Sequence, residues 1–403
     1  MSNRLTHTKV RSNDAGLNEY SLSELTLYFL KLGTIGFGGP IALVSYMERD
    51  LVEQRHWIDK EQYLRGLALA QLAPGPLAAQ LAIYIGYLKA NVLGATFTGV
   101  AFIMPSFLMV VVLGMLYVSY GGLVWMQALF YGIGAAVIGI IVKSAYKLAK
   151  LTLKDKALLW IIFVMMCATT AYTEQEILWL FILSGIITLL IFAPPKLFNS
   201  KLFSFASPLM LLQSQLPAFM YSEKFTPLTR LMKIFLFFAK AGAFVFGSGL
   251  AIVPFLHGGV VQEYHWLTER QFLDAVAVAM ITPGPVVITV AFIGYLVAGV
   301  TGAIVAALGV FLPVYLFVVI PAPYYEKYAK NLQLNAFVEG VTAAATGAIA
   351  GAVIVLGRRA VTDVPTAVIA AATLLVLARF KVPEPILVLA AAMAGFVLFN
   401  FKI

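Results

Sequence analysis

Leu69-Ala70-Gln71-Leu72-Ala73-Pro74-Gly75-Pro76 lies inside an apolar run from Tyr63 to Ala90, and Thr282-Pro283-Gly284-Pro285 lies inside another from Phe272 to Val297. A Pro-Gly-Pro triplet removes two backbone donors and cannot continue a regular helix. Each flank is too short to cross a bilayer core about 30 Å thick, which takes roughly 20 apolar residues. Backbone that leaves the helix at membrane depth persists only where protein buries it or a cavity receives it. The triplet therefore predicts a segment that enters the membrane, breaks and turns back.

The two triplets are 209 positions apart, and the same offset pairs Lys31 with Lys240, Gly33 with Gly242, Phe37 with Phe246, Gly38 with Gly247, His56 with His265, Trp57 with Trp266 and Gln62 with Gln271. Past one deletion, an offset of 208 pairs Gly86 with Gly294, Tyr87 with Tyr295, Pro105 with Pro313, Gly132 with Gly340 and Gly139 with Gly347. Such order predicts a duplicated unit. A polar tail (residues 1–21) precedes a first repeat (22–193), a linker (194–227) and a second repeat (228–403). Each repeat opens with an interrupted stretch, Leu22 to Met47 or Thr229 to Leu256, the former broken at Phe37-Gly38-Gly39-Pro40; the Pro-Gly-Pro stretch and four ordinary spans follow. In duplicated secondary transporters the substrate site lies between the repeats near the midplane.

Composition agrees with lipid as the solvent. Of 403 residues 61% are hydrophobic and 12% charged, and mean hydropathy is +0.91, far from the average soluble domain. The fold class expected is an all-α polytopic membrane protein made of two homologous repeats with re-entrant or broken helices. A β-barrel would alternate polar and apolar positions, which these Gly- and Ala-rich runs do not. Met1 to Tyr20 is polar and lacks the apolar core of a signal peptide, so insertion is expected to use the first membrane helix. The net charge of +9 sits mostly in short loops, where it sets topology and meets anionic headgroups, so nucleic acid is not an expected partner. Cys167 is a packing residue on this reading.

Loop charge also bears on the path of the chain. Arg49, Arg55, Lys60 and Arg65 fall between the two interrupted stretches, Lys89 after the second, and Lys143 to Lys156 after the fourth segment. If basic loops are cytoplasmic, the interrupted stretches make no net crossing and are re-entrant hairpins. The second half is sparser in charge, and inverted halves are the expectation, contingent on whether Phe203 to Met220 forms an additional span.

Chemistry is expected at the breaks. Half-helix N-termini present free N–H groups and partial positive charge, which suit an anion. Lys31 and Lys240 place two ammonium groups in apolar helices at equivalent positions, enough to neutralise a dianion; the competing reading is that each snorkels to an interface. Gly38, Gly39, Pro40, Pro74, Gly75, Pro76, Gly247, Pro283, Gly284 and Pro285 supply the breaks, and Gln71, Gln80, Ser248, Thr282 and Thr289 could donate to an oxyanion, although lone polar residues also serve helix packing. Glu339 and Asp274 are candidate proton-coupling carboxylates; Glu339 corresponds to Tyr131, so symmetry does not support it. His56 and His265 precede Trp in loops and are assigned structural roles. Walker A, H-E-x-x-H and G-x-S-x-G patterns are absent, so no enzyme, metal or cofactor is expected.

Phe37-Gly38-Gly39-Pro40, Leu69 to Pro76 and Tyr84-Ile85-Gly86-Tyr87, with the second copy at Thr282 to Pro285, resemble the chromate ion transporter family, specifically its long two-domain bacterial members. The likeness spans nearly the whole chain. It implies export of chromate from the cytoplasm across the bacterial inner membrane, driven by an ion gradient, with sulfate as a close mimic, chromate resistance as the consequence and halves of opposite orientation. The chain departs from that family's pattern at Glu48, an acid where members often carry histidine. Expected partners are the small anion and the lipid bilayer, with a homodimer as a further option; an anion channel and a membrane enzyme are the rival readings.

Overall fold

A capping box begins the first helix. In the computed structural model, which describes residues 18–36, 39–120, 124–153, 156–173, 177–194, 227–244, 252–324, 331–380 and 382–400, the Ser21 hydroxyl accepts from the Glu24 N–H while the Glu24 carboxylate accepts from the Ser21 N–H and hydroxyl. Those two bonds hold the Glu24 carboxyl below its ordinary value, and α1 runs from there (Leu22–Ile35). After a break, α2 (Gly39–Met47) winds into a π-helical turn, Glu48–Gln54. Asp59 caps α3 (Lys60–Leu72), and the chain leaves the helix at Pro74-Gly75-Pro76 with Gly75 at φ +137°. Then α4 (Leu77–Tyr120) doubles back at Ala90 and Asn91, the latter at φ +50°. Thr98 donates to the Ala82 carbonyl at 2.9 Å, and a methyl on Gly86 would stand 2.4 Å from the Gly94 carbonyl oxygen, so the two limbs of α4 lie backbone to backbone.

Three further helices complete the first half: α5 (Val124–Leu153), α6 (Ala157–Thr173) and α7 (Leu178–Phe192). In the second half α8 (Pro227–Phe244) is followed by α9 (Ile252–His257) with its π-helical turn Gly258–Glu263, and by α10 (Glu269–Ile281) behind a Thr268–Gln271 capping box. The break at Thr282 to Pro285 holds Gly284 at φ +96°. A short 3₁₀ turn, Val286–Ile288, leads into α11 (Thr289–Val319), which reverses at Ala298 and Gly299 (φ +62°). The remaining helices are α12 (Leu332–Ala360), α13 (Val364–Arg379) and α14 (Glu384–Asn400).

Every described residue with positive φ has its counterpart under the sequence offset: His56 and His265 (+51° and +48°), Gly75 and Gly284, Asn91 and Gly299. The histidines thus stand at a backbone reversal, and His265 bonds the Val261 carbonyl through Nδ1 at 2.8 Å. Among the described residues every regular element is a helix. Leu77–Tyr120, Gln127–Lys150, Val286–Tyr324 and Leu332–Arg358 are long and apolar enough to cross a membrane. Ala157–Thr173, Trp179–Phe192, Val364–Arg379 and Glu384–Leu398 are shorter apolar helices, each about 21–26 Å long at 1.5 Å per residue.

Two bundles form, and each draws on both halves of the chain. In one, α1 packs on α4, α8 on α11, and α4 on α11. Gly33 fits against the Phe102 backbone as Gly242 fits against that of Val310, the close approach that small residues allow between membrane helices. Tyr315 Oη meets Thr96 Oγ1 at 2.8 Å while Tyr295, beside the reversal of α11, borders Gly114, so the outer limb of α4 runs antiparallel to the outer limb of α11. In the other bundle α5 packs on α13 and α14, and α12 on α6 and α7. Gly347 abuts Phe163 and Gly351 abuts Cys167, so α12 and α6 run in the same direction. Gly357 lies near Ile138 at one end, while Ala149 and Leu153 cluster with Val341 and Ala345 at the other, so α5 and α12 cross antiparallel. Neither half buries its apolar faces alone.

Candidate functional site

The site grows from one problem. A broken helix leaves carbonyls and N–H groups unpaired, and in lipid each must find a partner within the protein. At the second break, Gly284 N–H donates to the Gly36 carbonyl at 2.9 Å, joining it to the first break of the other half. Ser106, wholly buried on α4, donates through Oγ to the Pro283 carbonyl at 2.7 Å and lies 3.4 Å from the Gly33 carbonyl. A methyl on Gly284 would fall 2.0 Å from Ser106 Oγ, so glycine is required there for space as well as for its φ.

The first triplet solves the same problem differently. Gln80, also wholly buried, turns its amide back to donate through Nε2 to the Pro74 carbonyl at 2.6 Å. Its Oε1 is a buried acceptor without a donor among the described residues. A methyl on Gly75 would stand 2.7 Å from Gln80 Nε2 and 3.0 Å from Val314. Ser106 and Val314 are equivalent positions under the 208-residue offset. Of the two equivalent carbonyls, that of Pro74 is thus served from within its own half by Gln80 and that of Pro283 across the interface by Ser106.

Several of the residues singled out from the sequence gather at these turns. Pro76, Gly75, Pro283, Gly284, Pro285 and Thr289 are buried and Pro74 is half-buried. Thr282 and Thr289 spend their hydroxyls on the backbone, donating to the Val278 and Val286 carbonyls. Pro40 sits on α2 directly after Gly39, which begins it, and Gln71 is exposed on the last turn of α3. Gly38, Gly247 and Ser248 lie outside the described residues, as does Phe203 to Met220. Lys31 and Lys240 are exposed on α1 and α8. Neither takes part in an ion pair among the described residues, and Lys240 Nζ lies 5.9 Å from the Phe255 ring centre.

The coupling candidates have distinct settings. Asp274 is buried on α10 and accepts from Tyr117 Oη at 2.7 Å. Glu339 forms an ion pair with Lys156 of the other half, whose Nζ also lies 4.5 Å from the Phe192 ring centre. At the position equivalent to Glu339, Tyr131 Oη donates to both oxygens of Asp363 at 2.6 and 2.7 Å, so each long helix is tied to a loop of the opposite half. Glu48, where the chain departs from the pattern it otherwise resembles, pairs with Lys60, and its counterpart is His257, which pairs with Glu269 at 2.8 Å. The same pairing recurs with the acid on the other partner. Among the described residues no cluster of His, Cys, Asp and Glu could hold a metal.

Sequence reasoning missed Ser106, Tyr117, Tyr131, Lys156 and Asp363. Ser106 carried one signal, a hydroxyl directly after Pro105 in a very apolar run, but its counterpart is Val314 and repetition did not mark it. Partner choice between distant segments leaves no periodic trace.

Comparison with known proteins shows the family. The Chromate transporter family profile matches residues 23–189 and again 232–396. A chromate transport protein of Cupriavidus metallidurans is 59% identical over 382 residues, covering 94% of this chain and 93% of the relative. A probable chromate transport protein of Synechococcus elongatus is 56% identical over 94% of this chain and 96% of its own length. One from Pseudomonas aeruginosa is 29% identical, covering 94% and 93%. No solved structure matches. This chain belongs to the chromate transporter family, and it is a multi-pass membrane transport protein rather than an enzyme.

Proposed function

We propose that the protein is a secondary transporter that exports chromate, a tetrahedral dianion, across the inner membrane by alternating access to a site between two inverted repeats. The observation that carries this reading is the meeting of broken-helix turns from both halves, with Gly284 N–H on the Gly36 carbonyl and Ser106 on the Pro283 carbonyl. Inversion is supported by the antiparallel crossing of α5 and α12 and of the outer limbs of α4 and α11, since each pair is equivalent under the offset. Duplication is supported by the matched backbone reversals and by the two profile matches.

On this reading α1–α2 and α3–α4, and their counterparts α8–α9 and α10–α11, are re-entrant hairpins whose tips face the anion. Lys31 and Lys240 supply the charge, free of competing carboxylates among the described residues. Half-helix N-termini after Pro76 and Pro285 supply N–H donors. Of the coupling candidates, Asp274 is favoured over Glu339 because Glu339 already neutralises Lys156. Sulfate shares chromate's shape and charge and is the alternative cargo.

The test is uptake of radiolabelled chromate by everted vesicles, with and without a pH gradient and against unlabelled sulfate and molybdate. Lys31→Met with Lys240→Met is expected to abolish flux. Unchanged flux in that double variant would remove the two ammonium groups from the mechanism. Conductance far above carrier turnover in a planar bilayer, independent of any gradient, would make the protein an anion channel instead.

A further inference from the structure

Helices α3 and α10 are equivalent under the offset, yet they sit in different surroundings. α10 packs against α5, α14, α11 and its own π-helical turn, and it is enclosed on every side: Phe272 and every residue from Asp274 to Met280 are buried. α3 is buried on one face only, through Tyr63, Gly66, Leu69 and Ala70, and packs on α4 and its π-helical turn. Leu64 is 47% exposed, Gln71 is exposed, and Arg65, Leu67 and Ala68 are half-exposed. The equivalents of Gln71 and Arg65 are Met280 and Asp274, each only 4% exposed.

The neighbours differ in the same sense. By the offset, the partners of α3 that correspond to α5 and α14 are α12 and α7, and among the described residues α3 has no extended interface with either. α9 packs on α12, while its counterpart α2 has no such interface with α5 among the described residues. The scaffold helices do obey the equivalence: α5 packs on α13 and α14 as α12 packs on α6 and α7. The scaffold thus keeps the two-fold equivalence, and the departures lie within the broken-helix bundle and in how that bundle sits against the scaffold.

We propose that this structure is one end state of the transport cycle, with access to the site along the uncovered face of α3. In the opposite state α3 packs on α12 and α7 as α10 here packs on α5 and α14, and α10 is uncovered in turn. Exchange of roles between equivalent elements is an economical way to build two states of similar energy, because the same kinds of contacts are made in each. The proposal rests on the transport reading and adds to it which helices move, against what, and which contacts are exchanged.

One contact makes the exchange measurable. Arg270 at the start of α10 donates to the side chain and backbone of Gln127 on α5, at 3.4 and 3.3 Å. Under the offsets Arg270 becomes Glu61 and Gln127 becomes Asn335, so Glu61 is expected near Asn335 in the opposite state. Here Glu61 is instead occupied with Arg65 one turn along α3.

The experiment uses the full chain with Cys167→Ser, carrying either Gln127→Cys with Arg270→Cys or Glu61→Cys with Asn335→Cys, in proteoliposomes treated with a short bismaleimide. The first pair is expected to cross-link in substrate-free protein and the second to remain near background. Chromate with an imposed gradient should raise the second pair several-fold while the first falls, and either cross-link should stop flux. The proposal is overturned if the second pair stays at background under every condition while its untreated form moves chromate at the parent rate. It is also overturned if protein cross-linked through the first pair transports normally.

Water access gives an independent reading that does not need flux. Gln71→Cys should react with a membrane-impermeant maleimide in the resting protein and Met280→Cys should not, with the order reversed after the gradient is imposed. Protection of Gln71→Cys in both conditions means that α3 faces lipid, or is covered by another segment, and overturns the proposal. Should the parent move no chromate, sulfate or molybdate, the functional reading fails on that arm alone, while maleimide reactivity in the resting state still decides whether α3 is the open face.

Discussion

Replacing Gly284 by alanine puts the interface between the two broken turns under a graded load. The new Cβ would lie 2.0 Å from Ser106 Oγ, inside any permitted contact, so the hydroxyl must leave the Pro283 carbonyl. An unsatisfied buried carbonyl costs about 1–3 kcal/mol, and holding a non-glycine residue at a sparsely populated positive φ costs about 1–3 kcal/mol more. Together these predict a loss of about 2–6 kcal/mol, a large share of the roughly 5–15 kcal/mol that ordinarily holds a folded protein. Gly299 supplies the control, since its φ is +62° and, among the described residues, nothing lies within 4 Å of a methyl placed there. Gly299→Ala should show the backbone cost alone, about 1–2 kcal/mol. The assay is thermal unfolding of both variants in nanodiscs, alongside chromate flux, with Ser106→Ala and Ser106→Ala/Gly284→Ala completing a double-mutant cycle in which the Pro283 carbonyl is orphaned only once, so the two losses should fall short of additive. If Gly284→Ala is as stable as Gly299→Ala, or if the two losses simply add, the close packing of Gly284 on Ser106 is not what sustains that turn.

Ser106→Ala alone should cost about 1–3 kcal/mol by orphaning the Pro283 carbonyl and lower chromate flux, with Ser106→Thr restoring part of both; equal behaviour of the alanine and threonine variants would contradict this. Asp363 both caps α13 through Thr366 and accepts from Tyr131, whereas Tyr131 contributes only the cross-half bond to that pair. Asp363→Ala should therefore lower the unfolding midpoint further than Tyr131→Phe, by an amount corresponding to about 0.5–2 kcal/mol for the cap. Because the Ser21 bonds depress the Glu24 pKa, the capping box stabilises the start of α1 above the unfolded-state value and loses that contribution as pH falls through the lower, folded one. Hydrogen exchange at the α1 N-terminus should accelerate across that acidic window in the parent protein and show no such step in Glu24→Gln.

The residues themselves determined a good deal. Apolar runs, the Pro-Gly-Pro interruptions and the 209- and 208-residue offsets are local or linear properties, so the helices, the breaks after Ile35, Leu72 and Ile281, and the equivalence of His56 with His265 could be read without coordinates. Proline's missing donor acts wherever the residue stands, and hydropathy needs no neighbour to be counted. Tertiary structure alone decided which groups satisfy the freed backbone. Gln80 serves one triplet and Ser106 the other, although both triplets pose the same problem, because the donor must come from whichever chain passes within hydrogen-bonding reach. It likewise decided that Glu339 is tied to Lys156 and that α10 is enclosed while α3 stands open. A near-repeated sequence describes two halves alike; which half is covered in this structure depends on how helices far apart in the chain pack together, and that is not written in any one segment.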